Sequence, residues 1–211
     1  FKLNNVAAND GSVTYTNAGD SDAATWTCAI TLADADAEAA VTFSVAFSDT
    51  AGNAGVAVTA VTDGSSVTLD DTVPTLTTVT IDSDNADNNV NAETAIDGDT
   101  VTLSFTTSET ASAGTGTPVC TFTVDGNAAT NADAVTNPGG GNNWACAFDL
   151  ADGDDDGAVA FSISFDDLAG NAGVAVTVTD GPGTTSVTLD DTVPTLTSVS
   201  IDSNNAETSA T

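Results

Sequence analysis

The feature that most constrains this chain is a ten-residue sequence that occurs twice without change, Val-Thr-Leu-Asp-Asp-Thr-Val-Pro-Thr-Leu at 67–76 and at 187–196. Its apolar residues alternate with threonine as at the end of a strand, and the proline then excludes a helix and begins a new extended segment. Pro74 and Pro194 lie 120 positions apart. An internal period of this length predicts modules of the size of one β-sandwich. We call the two copies the joints, because each closes one module and opens the next.

Matching segments on either side of the joints define the limits of the modules. Trp-Thr-Cys at 26–28 corresponds to Trp-Ala-Cys at 144–146, and residues 51–59 are identical with 169–177. The final residues repeat the strand that follows the first joint, so they either continue a longer tandem array or are donated to complete a neighbouring chain. The predicted pieces are the C-terminal part of one module (1–72), a complete module (73–192) and the first strand of the next module (193–211).

The complete module carries seven short runs in which apolar residues alternate with small polar ones. Val101, Leu103 and Phe105 show the pattern, which places one face of a strand in a core and the other in solvent. Turn-forming residues separate the runs, and no stretch has a helical period. We therefore predict an all-β fold of antiparallel two-sheet sandwiches, Greek keys of about seven strands per module. The predicted strands are 75–81, 100–107, 119–124, 128–135, 144–150, 158–165 and 174–189, the last interrupted at 181–183.

The charge of the chain limits its partners. The 211 residues include 31 acidic side chains, one Lys or Arg and no His, for a formal net charge of −30. Nucleic acids and anionic membrane surfaces are bound through Lys and Arg, so neither is predicted as a partner, whereas cations are. Hydrophobic residues make up 40% of the sequence, which permits a packed core. No run approaches the ~20 apolar residues of a membrane span, so no direct membrane insertion is predicted for this segment.

The three cysteines predict one disulfide within the complete module. Cys120 and Cys146 fall on the same apolar face of their runs, and the third and fifth strands of a sandwich usually belong to opposite sheets, so a bridge through the core is expected. Cys28 corresponds to Cys146, and if Phe1 aligns with Phe122, its partner would lie two residues upstream of Phe1. The alternative is a reduced core cysteine.

Acidic residues of three separate segments are predicted to meet at the end of the sandwich where the chain enters. In a seven-stranded Greek key, the loop after the second strand and the loop before the last strand gather there, beside the incoming joint. Their oxygen atoms suit Ca2+, a hard cation that takes about six to eight such ligands. Alternatively, each motif by itself is only a polar turn or a hairpin whose Asp caps backbone amides. The predicted ligands are Asp70, Asp71, Glu109, Asp166, Asp167 and Asn171, with Asp190, Asp191, Asp49 and Asn53 at the corresponding positions of the repeat.

The remaining polar residues predict no further site. The acidic loops at the opposite end of the module, among them 152–157, are expected to be solvated and to add weaker cation sites at most. Histidine is absent, Tyr15 is the only tyrosine, and the Ser and Thr residues lie in strands with no base beside them. We therefore do not predict an enzyme.

Several motifs carry a resemblance over nearly the whole chain: Asp-Asp-Thr-Val-Pro-Thr at the joint, the run from Val101 to Glu109, Asn143-Trp144, and Phe165-x-Asp-x-Ala-Gly-Asn171. They are similar to the bacterial-type immunoglobulin-like tandem repeats of large secreted adhesins and other extracellular surface or filament proteins. The resemblance implies tandem immunoglobulin-like sandwiches that act as a stalk or fibre, with Ca2+ stiffening the joints. It also implies ligand roles for Glu109, Asp167, Asn171 and Asp71.

The leading functional hypothesis is a structural repeat segment of an extracellular filament, stalk or adhesin, with copies of itself or adjacent modules in a fibre or array as partners. Joints without Gly or Ser suit a semi-rigid rod. Two alternatives remain open. A ligand-binding adhesin module would be expected to carry aromatic residues in its loops, and a cation-concentrating surface-layer protein would be expected to make lateral contacts in two dimensions.

Overall fold

The computed structural model describes residues 2–3, 6–7, 14–17, 26–85, 93–109, 117–129, 132–138, 140–151, 153–181 and 186–203. The chain divides into two compact units. Unit 1 comprises Phe1–Pro74 with Asp166–Ala172, and unit 2 comprises Thr75–Phe165 with Gly173–Thr211. The described residues form strands, turns and irregular segments, and none of them belongs to a helix that could cross a membrane.

The described residues of unit 1 form five short strands in two antiparallel sheets. The three-stranded sheet has the order β2-β1-β5, and β3 pairs with β4. Single bridges extend the pairing beyond the strands, from Ala40 to Thr68 and from Val45 to Val58. The strands are β1 (Lys2–Leu3), β2 (Val6–Ala7), β3 (Thr14–Asn17), β4 (Trp26–Ala29) and β5 (Val41–Thr42).

In unit 2 the part of the chain that the structure describes forms nine strands in two sheets, of order β10-β9-β13-β14-β7 and β11-β12-β8-β6. The neighbours pair antiparallel, except that β14 and β7 are parallel. The strands are β6 (Leu76–Ser83), β7 (Glu93–Ala95), β8 (Thr100–Thr107), β9 (Val119–Val124), β10 (Asn127–Ala128), β11 (Ala132–Thr136), β12 (Asn143–Asp149), β13 (Gly157–Ser164) and β14 (Val187–Leu189).

The core of unit 2 follows from the alternation in the sequence. Along β8, Val101, Leu103 and Phe105 are buried, whereas the hydroxyl residues between them are half-exposed. Apolar side chains from both sheets form one buried cluster. The rings of Phe122 on β9 and Phe148 on β12 pack across it with centroids 4.5 Å apart. The two sheets therefore close on each other as a sandwich, which confirms the predicted all-β, two-sheet fold.

A disulfide joins the two sheets through this core. Cys120 lies on β9, Cys146 lies on β12, and their Cα atoms are 6.4 Å apart. Both cysteines are buried. The sequence-based prediction of this bridge is confirmed. Cys28 is half-buried and has a free thiol, so its pairing with an upstream cysteine remains a prediction.

Three details of the predicted strands were wrong. The single strand predicted at 128–135 is divided, because β10 pairs with β9 in one sheet while β11 pairs with β12 in the other. Of the long last strand, only β14 is a regular strand, and a single bridge from Ile163 to Val176 marks its first half. The strand β7 was not predicted. It is three residues long, and its buried Glu93 breaks the apolar pattern.

Strand pairings recur between the two units at offsets close to the sequence repeat, from 159 − 41 = 118 to 124 − 3 = 121 residues. Each of these pairs in unit 1 joins two residues whose counterparts in the sequence repeat are paired in unit 2. The corresponding pairs are Leu3–Val41 and Val124–Val159, Tyr15–Cys28 and Val135–Cys146, Ala40–Thr68 and Ala158–Thr188, and Val45–Val58 and Ile163–Val176.

Burial differs between the units at matching positions. Trp144 at the start of β12 is 4% exposed, whereas Trp26 at the start of β4 is 63% exposed. In unit 2, β12 is flanked by β8 and β11. In unit 1, β4 pairs only with β3 among the described residues. Trp26 therefore lies on an apolar face that the described part of unit 1 does not cover.

Candidate metal centre

A tight turn at 167–171, which we call the Asp167 turn, places a carboxylate against several backbone amides. Oδ1 of Asp167 accepts hydrogen bonds from the amides of Gly170 (2.7 Å) and Asn171 (2.8 Å). The side-chain amide of Asn171 donates to Oδ2 of Asp167 at 2.8 Å. The turn is closed by the amide of Asp167, which donates to the carbonyl of Asn171 at 3.1 Å. The geometry is that of an Asx-type turn, in which a short carboxylate substitutes for backbone acceptors.

Two glycines explain why this local sequence folds in this way. Gly170 has a φ of +98°, a conformation that glycine adopts without strain. The segment that follows in unit 2 brings Gly173 directly over the ring of Phe165, where a Cβ atom would collide with the ring. The amide of Gly173 donates to the carbonyl of Phe165 at 2.9 Å. The motif Phe165-x-Asp-x-Ala-Gly-Asn-x-Gly therefore encodes its own turn.

Asp167 is buried, with 4% of its surface exposed, and yet it is stabilised as an anion. Burial is the largest single influence on its pKa and raises it, because a desolvated carboxylate is disfavoured. The hydrogen bonds from the side chain and backbone of Asn171 and from the amides of Gly170 and Ala169 together outweigh burial, so the pKa of Asp167 lies below its ordinary value. A buried negative charge is thus present in the turn near neutral pH.

Asp70 of the first joint lies beside the Asp167 turn within unit 1. Asn171 donates a second side-chain hydrogen bond, to the carbonyl oxygen of Asp70 at 2.9 Å. A carboxylate oxygen of Asp70 and one of Asp167 lie within 4.8 Å of each other. Two like charges at this distance repel unless a counter-ion lies between them. These acidic oxygens could hold a metal ion, and carboxylate and carbonyl oxygens are the ligands that hard cations such as Ca2+ and Mg2+ prefer.

Asn171 has a further oxygen to offer. Both hydrogens of its side-chain amide are used, one by Asp167 and one by the carbonyl of Asp70. Its orientation is thereby set, since only the nitrogen can donate. Its side-chain oxygen accepts no hydrogen bond from the described part of the chain, and so is available as a neutral ligand.

Glu109, the third residue that both the loop argument and the resemblance select, belongs to unit 2. It follows β8, is half-buried, and accepts at its backbone carbonyl a hydrogen bond from the Thr107 hydroxyl (2.7 Å). This bond fixes the backbone at the start of the loop after β8. The role of the Glu109 carboxylate as a ligand remains a prediction from the sequence.

Asp71 and Asp166 are the sequence neighbours of Asp70 and Asp167, but their carboxylates have different surroundings. The amide of Asp71 donates to Oε1 of Glu38 at 3.1 Å, and its side chain is exposed. Asp166 is also exposed and pairs through its backbone with Ala172. Neither carboxylate belongs to a group of three acidic side chains among the described residues.

The second set of predicted ligands, Asp49 and Asn53, builds the same turn in unit 1 at an exposed position. Oδ1 of Asp49 accepts from the amides of Ala51 (3.0 Å) and Asn53 (2.8 Å), and the Asn53 side chain donates to Oδ2 at 2.8 Å. These bonds, that of the Asn53 side chain foremost, lower the pKa of Asp49. Within the described chain, Asp49 belongs to no group of three metal-ligating side chains. This turn therefore matches the Asp167 turn in its hydrogen bonds, but its aspartate is exposed whereas Asp167 is buried.

At the second joint, Asp190 and Asp191 are held by backbone contacts. Oδ1 of Asp190 accepts from the amide of Thr192 at 3.1 Å, and Oδ1 of Asp191 accepts from the amide of Asp97 at 2.7 Å. The amide of Asp191 in turn donates to Asp156 at 2.9 Å. The described residues give this joint no third carboxylate within ligand distance.

Sequence reasoning missed the residues that hold the joints. Residues 152–157 were predicted to be a solvated loop, but Asp156 accepts hydrogen bonds from the backbone and hydroxyl of the second joint. These bonds, first that from the amide of Asp191 and then that from Thr192, lower the pKa of Asp156. At the first joint, Glu38 accepts the corresponding hydrogen bonds, from the amide of Asp71 and the hydroxyl of Thr72. The signal was present in the sequence, because Glu38 and Asp156 are acidic at positions related by the repeat.

Comparison with known protein families, characterised proteins and solved structures finds no match to this chain.

Proposed function

We propose that this chain is a structural repeat segment of an extracellular filament, stalk or adhesin, built of tandem immunoglobulin-like modules whose joints bind Ca2+. The observation that carries the proposal is the acidic pair at the first joint, in which Asp70 meets the buried, anionic Asp167. A buried carboxylate facing a second one would be stabilised further by a cation, and a chain with a single Lys or Arg has almost no cationic side chain to supply it.

Calcium is the ion that this chemistry favours. The available ligands are carboxylate and amide oxygens. The sequence contains no His, which weighs against transition metals. Ca2+ tolerates irregular coordination by six to eight oxygens, whereas Mg2+ demands a near-ideal octahedron. We assign Asp70, Asp167 and the side-chain oxygen of Asn171 as ligands, and Glu109 as the further ligand that the sequence argument supplies.

The structural role is supported by the repetition within the chain. The strand pairings of unit 1 recur in unit 2, and both joints are held by an acidic residue of the preceding loop. A surface of net charge −30 stays dispersed in salt water, where repulsion is screened over about 10 Å or less. The disulfide of unit 2 suits an oxidising environment outside the cell. Neighbouring modules of the same kind are the proposed partners.

The proposal is tested by calcium binding to the full chain. Isothermal titration and thermal melts, in millimolar Ca2+ and in excess chelator, should show binding and a higher melting temperature with the ion. Asp167→Asn removes one ligand charge and replaces one of the two acceptor oxygens of the turn by an amide nitrogen, and should weaken binding strongly.

Asp49→Asn is the matched control, because the Asp49 turn has the same hydrogen bonds but belongs to no group of three metal-ligating side chains among the described residues. It should leave calcium affinity at the joint unchanged. Equal affinity in wild type and Asp167→Asn, or no binding at all, would refute the assignment. Small-angle scattering of the same samples tests the stiffening, since Ca2+ should narrow the distribution of end-to-end distances.

A further inference from the structure

The carboxylate of Glu38 holds the backbone of the first joint. Its two oxygens accept from the hydroxyl of Thr72 at 2.8 and 2.9 Å, and one of them also accepts from the amide of Asp71 at 3.1 Å. Hydrogen bonds to an ionised acceptor are stronger than neutral ones. Residues 71 and 72 are therefore fixed by a single side chain from the preceding loop. We call this arrangement the Glu38 clasp.

The clasp continues to the candidate ligand Asp70. The amide of Thr72 donates to Oδ1 of Asp70 at 3.2 Å. Glu38 thus restrains Thr72, and Thr72 restrains the carboxylate of Asp70. On its other side Asp70 is held at its carbonyl by Asn171. Side-chain and backbone groups of Asp70 are fixed from two directions within unit 1.

The loop that presents Glu38 is itself fixed. Asp36 is buried, its carboxylate accepts from the amide of Ala33 at 3.0 Å, and its own amide donates to the carbonyl of Ala33 at 2.8 Å. The next residue after Glu38, Ala39, accepts at its carbonyl from the amide of Leu69 at 3.0 Å. The backbone on both sides of Glu38 is therefore held, and on one side it is bonded directly to the joint.

The same arrangement recurs in unit 2. Asp156 accepts from the amide of Asp191 at 2.9 Å and from the hydroxyl of Thr192 at 2.7 Å. The amide of Thr192 donates to Asp190, as that of Thr72 does to Asp70. Asp154 closes its loop as Asp36 does in unit 1: its carboxylate accepts from the amide of Ala151, and its own amide donates to the carbonyl of Ala151. An aspartate thus makes in unit 2 the contacts that a glutamate makes in unit 1, so the feature that the two arrangements share is the carboxylate.

We propose that Glu38 and Thr72 are positioning residues for metal binding at the first joint, acting through Asp70. The inference rests on the proposed function, since it concerns the same site. Residues that orient a metal ligand commonly contribute about 10- to 100-fold to metal affinity. An unclasped Asp70 would sample several rotamers, and binding would have to order it.

The test is a Ca2+ titration of the isotope-labelled full chain, followed by NMR at the amide of Gly170, which bonds to Asp167. Physiological ionic strength, with a screening length of about 8 Å, suppresses diffuse cation binding. Glu38→Ala should weaken the site about tenfold. Glu38→Asp should bind nearly as well as wild type. Thr72→Val should also weaken the site, although it changes no charge.

The second joint supplies matched controls. Asp156→Ala and Thr192→Val break the corresponding arrangement in unit 2, and should leave the Gly170 titration unchanged. If Glu38→Ala binds as wild type does, the inference is wrong. If Glu38→Ala weakens the site but Thr72→Val does not, the loss is due to charge alone and positioning is again refuted. Failure of the wild-type protein to titrate would instead overturn the proposed calcium site, and the inference with it.

Discussion

Removal of the Cys120–Cys146 disulfide should destabilise unit 2 by a predictable amount. The bridge closes a loop of 26 residues between two sheets. In the chain-entropy model a loop of this length contributes about 3.5 kcal/mol, because the unfolded chain loses conformations when it is cross-linked. In the double variant Cys120→Ala/Cys146→Ala, two buried sulfur atoms are also lost from the core. The measured loss should therefore be about 3.5 kcal/mol or somewhat more.

Tryptophan fluorescence makes the measurement specific to unit 2. Trp144 is 4% exposed and should shift to longer wavelength on unfolding, whereas Trp26 is 63% exposed already. Guanidinium titrations in a Trp26→Phe background would then give the free energy of unfolding of unit 2 with and without the bridge. Cys28→Ala is the matched control, because this thiol belongs to no disulfide, and it should leave the transition unchanged.

Two outcomes would refute this reasoning. A loss below about 1 kcal/mol would show that the unfolded state is already compact or that the bridge strains the folded state. An equal loss in Cys28→Ala would show that the fluorescence signal does not report unit 2 alone. Reduction of the unaltered protein with a thiol breaks the bridge without removing sulfur, and separates the cross-link from the packing.

The remaining predictions concern the two turns and the pH. Gly173→Ala should destabilise unit 2, because the added methyl group collides with the buried ring of Phe165. Gly55→Ala places a methyl group against the exposed ring of Phe47 and should lower stability less. Thermal melts of the two variants compare the losses. The lowered pKa of Asp167 means that its contribution to stability is present above the unfolded value of about 3.9 and is lost as the pH falls through the lower folded value. Unfolding is followed by circular dichroism over a range of pH in the presence of chelator. Wild type should be more stable than Asp167→Asn at neutral pH, and this difference should disappear at low pH. A stability difference that does not change with pH would contradict the prediction.

Strands could be predicted where burial decides them. β8 and β9 begin and end at the predicted residues, because their alternation is unbroken and each faces a core on one side. The divided strand at 128–135 was missed, since nothing in local alternation states which sheet a short segment joins. The strand β7 was missed because one of its inward-facing residues is Glu93, and a charged residue does not suggest a buried position. Its carboxylate is buried because it accepts from the amide of Ser83 at 2.6 Å.

The candidate site was predictable only in part. The turns at Asp49 and Asp167 follow from local sequence, since glycine and the short Asx side chain determine them. The roles of Glu38 and Asp156 were missed, because an acidic residue in a polar loop has the same local pattern whether it is solvated or bonded to a distant backbone amide.

The sequence by itself determined the period of the repeat, the alternating strands, the pairing of Cys120 with Cys146 and the two Asx turns. These depend on local chemistry or on residues that share one face of a strand. Only the tertiary structure decided which of the many carboxylates meet. Asp70 and Asp167 are far apart in the chain, and the fold brings them together where the side-chain amide of Asn171 donates to the carbonyl of Asp70. Local composition specifies that both are acidic, but proximity is a property of the fold.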